Sequence, residues 1–180
     1  MTKEIINISQ LASQDFDENC TADLEQSTYG TNEFSHICDN LYQGSLPGDP
    51  KSLHKTFSFV FNLSEIQYQV PRGVTLTHWY IDDCPRLPNL DKVHAIASMV
   101  TAARQIGPTL VHCAAGLNRS GLISALSLIQ GGLRPIDAVK LLRDKRTSAV
   151  LCNQSFYSYV LSRTKGESPV IILPNKAERF

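Results

Sequence analysis

No apolar run in the 180 residues approaches the roughly 20 that a membrane-crossing helix needs. The first residues also lack the basic, then apolar, then small-residue order of a secretory signal. Neither sign of charge is in excess. The 17 Lys and Arg balance 17 Asp and Glu, which argues against broad electrostatic attraction to nucleic acid or to an anionic membrane surface. Cysteine is sparse and shows no paired spacing: Cys20, Cys38, Cys84, Cys113 and Cys152 are odd in number, and neither Cys-x-x-Cys nor His-x-x-x-His occurs. A disulfide framework and a zinc site of ordinary spacing are therefore not expected. Free thiols point to a reducing, cytoplasmic setting. What remains, with 42 % apolar and 19 % charged residues, is an ordinary globular composition with enough chain for one core.

Along the chain, residues 1–32 are polar and turn-rich and read as a mobile leader, 33–165 as one folded domain, and 166–180 as a tail. Phe34–Cys38 and Leu41–Gly44 flank Asp39-Asn40 and predict a small hairpin. Pro47-Gly48-Asp49-Pro50 is a turn, with a short helix after it. Residues 57–63 and 74–81, rich in aromatic and β-branched side chains, predict strands. From the N-cap Asn89, apolar residues at 93, 96, 97, 100 and 103 recur at helical spacing until Gly107-Pro108. Thr109-Leu110-Val111 is a short buried strand that runs straight into His112-Cys113. Leu122, Ile123, Ala125, Leu126 and Ile129 then make a helix apolar nearly all round, hence central. Helices over Pro135–Lys145, with Pro in its first turn, and over 153–162 complete an α/β layer fold with helices packed on a mixed sheet.

The segment His112-Cys113-Ala114-Ala115-Gly116-Leu117-Asn118-Arg119-Ser120 joins that buried strand to that buried helix. Backbone N–H groups at a helix start have no intrahelical partner, and together with the helix dipole they make an anion site. The six-residue step from Cys113 to Arg119 can wrap one phosphate-sized anion, Gly116 supplies backbone freedom, and Arg119 brings a planar two-pronged donor. The same field favours the thiolate over the thiol at Cys113. Ser120 is placed to donate a hydrogen bond to that sulfur as a leaving group. His112 is read as a support for the loop rather than a proton carrier.

These residues resemble the protein tyrosine phosphatase superfamily signature His-Cys-x-x-Gly-x-x-Arg-Ser/Thr, and most closely the small dual-specificity phosphatases. The resemblance runs from about Phe34 to Leu161. Asn40-Leu41-Tyr42-Gln43-Gly44-Ser45 and Val60-Phe61-Asn62-Leu63-Ser64 resemble that family's strand segments. Lys145-Arg146 with Asn153-Gln154-Ser155-Phe156 resembles the segment beneath its active loop. The resemblance implies a mixed, mostly parallel sheet of about five strands flanked by helices. It also implies Cys113 as nucleophile, Arg119 as phosphate clamp, a phosphate loop over Ala114, Ala115, Gly116, Leu117 and Asn118, a cysteinyl-phosphate intermediate, and neither metal nor other cofactor. It further implies an aspartic acid on a separate loop that protonates the leaving oxygen. Asp83 is preferred, with Trp79 four residues before it and Pro85 two after, and its neighbour Asp82 is the alternative. Cys84 beside it is either a passive thiol or a redox partner of Cys113.

None of Ala114, Ala115, Leu117 and Asn118 is basic, which disfavours a phosphoinositide with several phosphates. The expected substrate is a phosphorylated protein or peptide, on tyrosine and on serine/threonine, in a shallow cleft. The Gly-x-Asn-Arg order also resembles the RNA 5′-triphosphatase branch, so an RNA 5′-phosphatase is one alternative. A non-catalytic phosphopeptide-binding module is another, and a sulfurtransferase a third. Arg143, Lys145 and Arg146 read as a solvated helix face rather than an anion patch.

Overall fold

The computed structural model describes residues 33–166; the leader at 1–32, with Cys20, and all but the first residue of the tail at 166–180 lie outside them. The chain begins with the expected hairpin. Strand β1 (Phe34–Cys38) pairs antiparallel with β2 (Leu41–Gly44), and the turn residue Asp39 adopts a left-handed φ of 44°. Asp tolerates that region better than most residues. A 3-10 turn over Pro50–Lys55, capped by the Asp49 side chain, leads to β3 (Phe59–Asn62) and β4 (Thr75–His78). Helix α1 (Leu90–Ile106), strand β5 (Thr109–His112), and helices α2 (Arg119–Gln130), α3 (Pro135–Lys145) and α4 (Gln154–Leu161) follow.

The five strands lie in the order β1-β2-β5-β3-β4, and every pair except β1–β2 is parallel. A mixed, mostly parallel sheet flanked by helices is thus the fold. β5 is its middle strand, and all four of its residues are buried. Such a strand must be apolar on both faces. Alternation along the strands sends Val60 and Leu110 to one face, where Leu53 and Phe57 cover them, and Phe61 and Val111 to the other, onto the helices.

Helix α2 is buried from Arg119 to Ile129, so its sequence needs no polar face. Burying Leu122, Ile123, Leu128 and Ile129 is worth about 2 kcal/mol for each side chain. Sliding α2 by even a fraction of a turn would forfeit part of that, so its N-terminus is held in place against the end of β5.

Two strands are shorter than their apolar runs suggest. Phe57 leaves the ladder, its N–H bonding to the Leu53 carbonyl at 2.9 Å, and its ring fills the smaller core. Past His78 the chain is held by Trp79 N–H to Asn62 O at 2.9 Å and Ile81 N–H to Leu63 O at 3.3 Å. It then has no regular structure until α1, and this irregular stretch carries Asp82 and Asp83.

Candidate active site

The loop between β5 and α2 is shaped from outside through its carbonyls. Ala114 O accepts from Leu46 N–H at 3.0 Å, and Ala115 O from Arg146 Nη2 at 3.3 Å. Gly116 O accepts from Gln43 Nε2 at 3.0 Å and Arg146 Nε at 2.7 Å, and Leu117 O from Leu151 N–H at 3.3 Å. A trans peptide is planar, and its N–H points opposite to its C=O. Four carbonyls anchored outward therefore turn the N–H groups of Ala115, Gly116, Leu117 and Asn118 toward the loop's centre. Gly116 makes the turn possible with φ 74°, and a Cβ there would lie 2.4 Å from the Gly44 carbonyl and from Arg146 Nη2.

At that centre lies Cys113, buried, with its Sγ 3.2 Å from Gly116 N and 3.5 Å from Ser120 Oγ. The sulfur thus has one inward amide and the Ser120 hydroxyl as neighbours. His112 is fully buried behind it. Its Nδ1 faces Cys113 O at 3.4 Å, and its Nε2 makes a short hydrogen bond with the Tyr68 hydroxyl, whose ring stacks on the imidazole. Burial, with a smaller push from the His78 charge, brings the His112 pKa down to about 4, although the Cys113 carbonyl works the other way. His112 is therefore neutral at physiological pH. Burial also raises the Tyr68 phenol, which stays protonated.

Arg119 opens α2 with its guanidinium buried at the same point. Its Nη1 donates to Glu65 Oε2 at 3.1 Å and to Ile81 O at 3.5 Å. Its Nε is buried, has no hydrogen-bond partner among the described residues and lies 3.9 Å from Asp83 Oδ2. A buried donor left open is costly unless something else fills it, and a phosphate oxygen would do so. Burial works against the Arg119 charge, but the Cys113 charge, the Glu65 hydrogen bond and the nearby Asp83 more than offset it, so its pKa is raised. The Glu65 carboxyl is held below its usual range by its own backbone N–H and by Arg119.

Asp83 and Asp82 point to different partners. The Asp83 carboxylate takes hydrogen bonds from Asn118 Nδ2 at 3.2 Å and Asn153 Nδ2 at 3.0 Å, so it lies over the loop. Asp82 instead accepts from the Tyr80 hydroxyl at 3.3 Å in an exposed setting. The Cys84 thiol donates to Arg86 O at 3.5 Å, and no disulfide joins the described cysteines Cys38, Cys84, Cys113 and Cys152. Among the described residues no group of three or more His, Cys, Asp or Glu side chains could hold a metal ion. No helix there is long and apolar enough to cross a membrane.

One reading of the sequence needs correcting. Arg146 does not belong to a solvated face: it lies half-buried beneath the loop, bonded to Ala115 O, Gly116 O, Gln43 O at 3.3 Å and Ser35 Oγ at 3.3 Å. Burial lowers its pKa, with the Cys113 charge opposing. Glu65, Tyr68 and Gln43 went unmarked by the motif. Glu65 carried a signal, since it follows β3 at the carboxyl end of a parallel strand beside β5, where α/β sheets place their ligands. Tyr68, in an irregular segment, carried none.

The protein-tyrosine phosphatase family model matches residues 24–162. Human protein tyrosine phosphatase type IVA 3 is 35 % identical over 88 residues, 47 % of this chain and 50 % of that protein. The probable protein tyrosine phosphatase type IVA A of Dictyostelium discoideum is 38 % identical over 47 residues, 26 % of this chain and 28 % of that protein. The chain thus spans half the length, or less, of these two curated relatives. Among solved structures, human DUSP28 superposes with a TM-score of 0.62 at 21 % identity, over 73 % of this chain and 94 % of that one. Tk-PTP in the active form gives 0.63 at 23 % identity, over 74 % and 99 %. At these identities the structural likeness is one of fold.

Proposed function

This chain belongs to the protein-tyrosine phosphatase family, and on that premise we propose that it hydrolyses phosphate monoesters on protein tyrosine and serine/threonine through a cysteinyl-phosphate intermediate. The observation that carries the proposal is the Cys113 sulfur inside a loop whose carbonyls are all drawn outward, with the open edge of Arg119 beside it.

In the first step Cys113 Sγ attacks phosphorus in line with the ester oxygen. The loop N–H groups and Arg119 hold the equatorial oxygens as charge shifts onto them. Glu65, by occupying Nη1, leaves the Nε edge of the fork for phosphate. Asp83 gives its proton to the departing oxygen, and in the second step takes one from the water that attacks the phosphocysteine. Ser120, 3.5 Å from the sulfur, stabilises the thiolate as it leaves. His112, neutral and locked between Tyr68 and the Cys113 backbone, supports the loop without moving protons. The partner is a phosphorylated protein or peptide, and free thiols suit a cytoplasmic site of action.

The RNA alternative rests on Asn118 before Arg119, and a basic approach to the site would have to come from residues such as Arg146. Both ends of the Asn118 amide are engaged inside the protein, by Asp83 and by Asn153 N–H, and Arg146 is turned under the loop. Neither is free to select an RNA end. A passive phosphopeptide-binding module would not need an acid over the loop.

Replacing Cys113 by Ser should abolish turnover of an aryl phosphate while leaving phosphate binding largely intact. Full activity in that variant would end the nucleophile assignment. Asp83→Asn should cut the rate by roughly 10²–10⁴, and the same loss from Asp82→Asn instead would move the acid to its neighbour. Rates on phosphotyrosine and phosphothreonine peptides, a 5′-triphosphorylated RNA and a phosphoinositide should favour the peptides.

A further inference from the structure

The stretch from Trp79 to Asn89 that bears Asp83 has no regular structure, and the backbone bond of Ile81 N–H to Leu63 O ends two residues before the acid. Beyond it two amides hold the carboxylate, with Arg119 Nε farther off, 3.9 Å from Oδ2. Asn118 Nδ2 donates to Asp83 Oδ2 at 3.2 Å and Asn153 Nδ2 to Asp83 Oδ1 at 3.0 Å, one on each carboxylate oxygen. The two asparagines are themselves joined, since Asn118 Oδ1 accepts Asn153 N–H at 2.9 Å and the Cys152 thiol at 3.4 Å. Asn153 Nδ2 also donates to Cys84 O at 3.0 Å, and Ser155 Oγ donates to Pro85 O. The far end of Asn153 is anchored too: its Oδ1 caps α4, accepting from Ser155 N–H at 3.1 Å and Phe156 N–H at 3.3 Å.

Each donor is neutral. A lysine or arginine in either place would add charge beside the phosphate, whereas an amide fixes the carboxylate without altering the field that Arg119 and the loop set up. One donor comes from the phosphate loop itself and one from the α4 cap, so any shift of the loop carries the acid with it. Each carboxylate oxygen also keeps a lone-pair site open for the proton it has to deliver.

We propose that Asn118 and Asn153 are positioning residues, a neutral clamp that docks Asp83 onto the phosphate loop and so controls protonation of the leaving group. The inference rests on reading Asp83 as the general acid. Proton transfer depends on placement within hydrogen-bond reach, so loss of the clamp falls on esters whose leaving oxygen needs a proton and spares those that leave as stable anions.

The test uses Asn153→Asp and Asn153→Ser. Both keep an oxygen to cap α4 and remove the donor, and the first also sets a like charge against Asp83. With kcat and KM measured over aryl phosphates of graded leaving-group acidity and on phosphoserine, both variants should lower kcat roughly 10-fold for the poorest leaving groups, the weight of one hydrogen bond to a charged group. The dependence on leaving group should steepen, and the inhibition constant for inorganic phosphate should stay within about twofold. In an Asp83→Asn background neither substitution should steepen it further. A uniform loss over the whole series, or effects that add in the double variant, would overturn the clamp and leave Asp83 as the acid. If Asp83→Asn alone leaves the dependence unchanged, the acid assignment fails and takes the clamp with it.

Discussion

Lowering the pH from 7 to 5 should destabilise the protein through one imidazole. His112 is fully buried between Tyr68 and the Cys113 backbone, and its pKa falls from the ordinary 6.5 to about 4. In the unfolded chain the ring takes a proton near its ordinary value, while in the native protein it stays neutral down to about 4. The unfolded state therefore binds more protons in this window, so stability is full above the ordinary value and drains away as pH falls. Integrated between pH 7 and pH 5, the two constants give a loss of about 2 kcal/mol, and between pH 7 and pH 4 about 3 kcal/mol. That is a sizeable share of the total stability of a domain of this size. Urea unfolding of the wild type and of His112→Gln at both pH values isolates the contribution. Gln keeps a polar group near Tyr68 but does not titrate, so the wild type should lose about 2 kcal/mol more than the variant. Parallel losses, within about 0.5 kcal/mol, would refute the argument. So would an imidazole NMR titration of the folded protein with a midpoint near the ordinary value.

Three further outcomes follow from single contacts at the loop. Gly116→Ala places a methyl group 2.4 Å from the Gly44 carbonyl at a φ of 74°; thermal unfolding should report a loss of about 1–3 kcal/mol, and phosphate binding, followed by inhibition of an aryl phosphatase assay, should weaken with it. Glu65→Gln keeps the shape of the Arg119 contact but removes its charge, and because Glu65 is largely exposed, kcat/KM should fall only roughly 3- to 10-fold. Tyr68→Phe leaves a buried ring nitrogen of His112 without its partner and should cost about 1–3 kcal/mol in urea unfolding while keeping the stacked ring.

What the sequence disclosed is what is local in it. Asn89 caps α1 and Pro135 opens α3 because caps and first turns are decided by a few consecutive residues. The apolar Leu110-Val111 of β5 and the nearly all-round apolar α2 announced a centre because only a central strand and helix have no solvent face. The His112-to-Ser120 loop was legible for the same reason, its geometry being written in nine consecutive residues. Features that depend on distant partners were not. The ends of β3 and β4 are set by where Phe57 finds its small core and where the 79–89 stretch leaves the sheet. Arg146 carries the charge of a surface residue, but four acceptors beneath the loop draw it in. Asn118 resembles a mark of substrate class, whereas both ends of its amide bond to other residues of the protein.

These distant partners explain why a short loop can keep its N–H groups turned inward. A segment with its N–H groups converging on one point is electrostatically poor when empty, and its own carbonyls would turn inward to relieve it. Here each of those carbonyls is already taken from outside. Leu46 beyond β2, Gln43 within it, Arg146 after α3 and Leu151 before α4 each take at least one. Arg119 is likewise held at Nη1 from the segment after β3. Because β5 is central and parallel to both neighbours, the ends of β2 and β3 arrive on either side of the loop. The topology supplies the restraints, and the restraints keep the amides pointed at Cys113. In the proposed reaction this spares reorganisation as charge develops, which is where preorganised sites gain most of their rate.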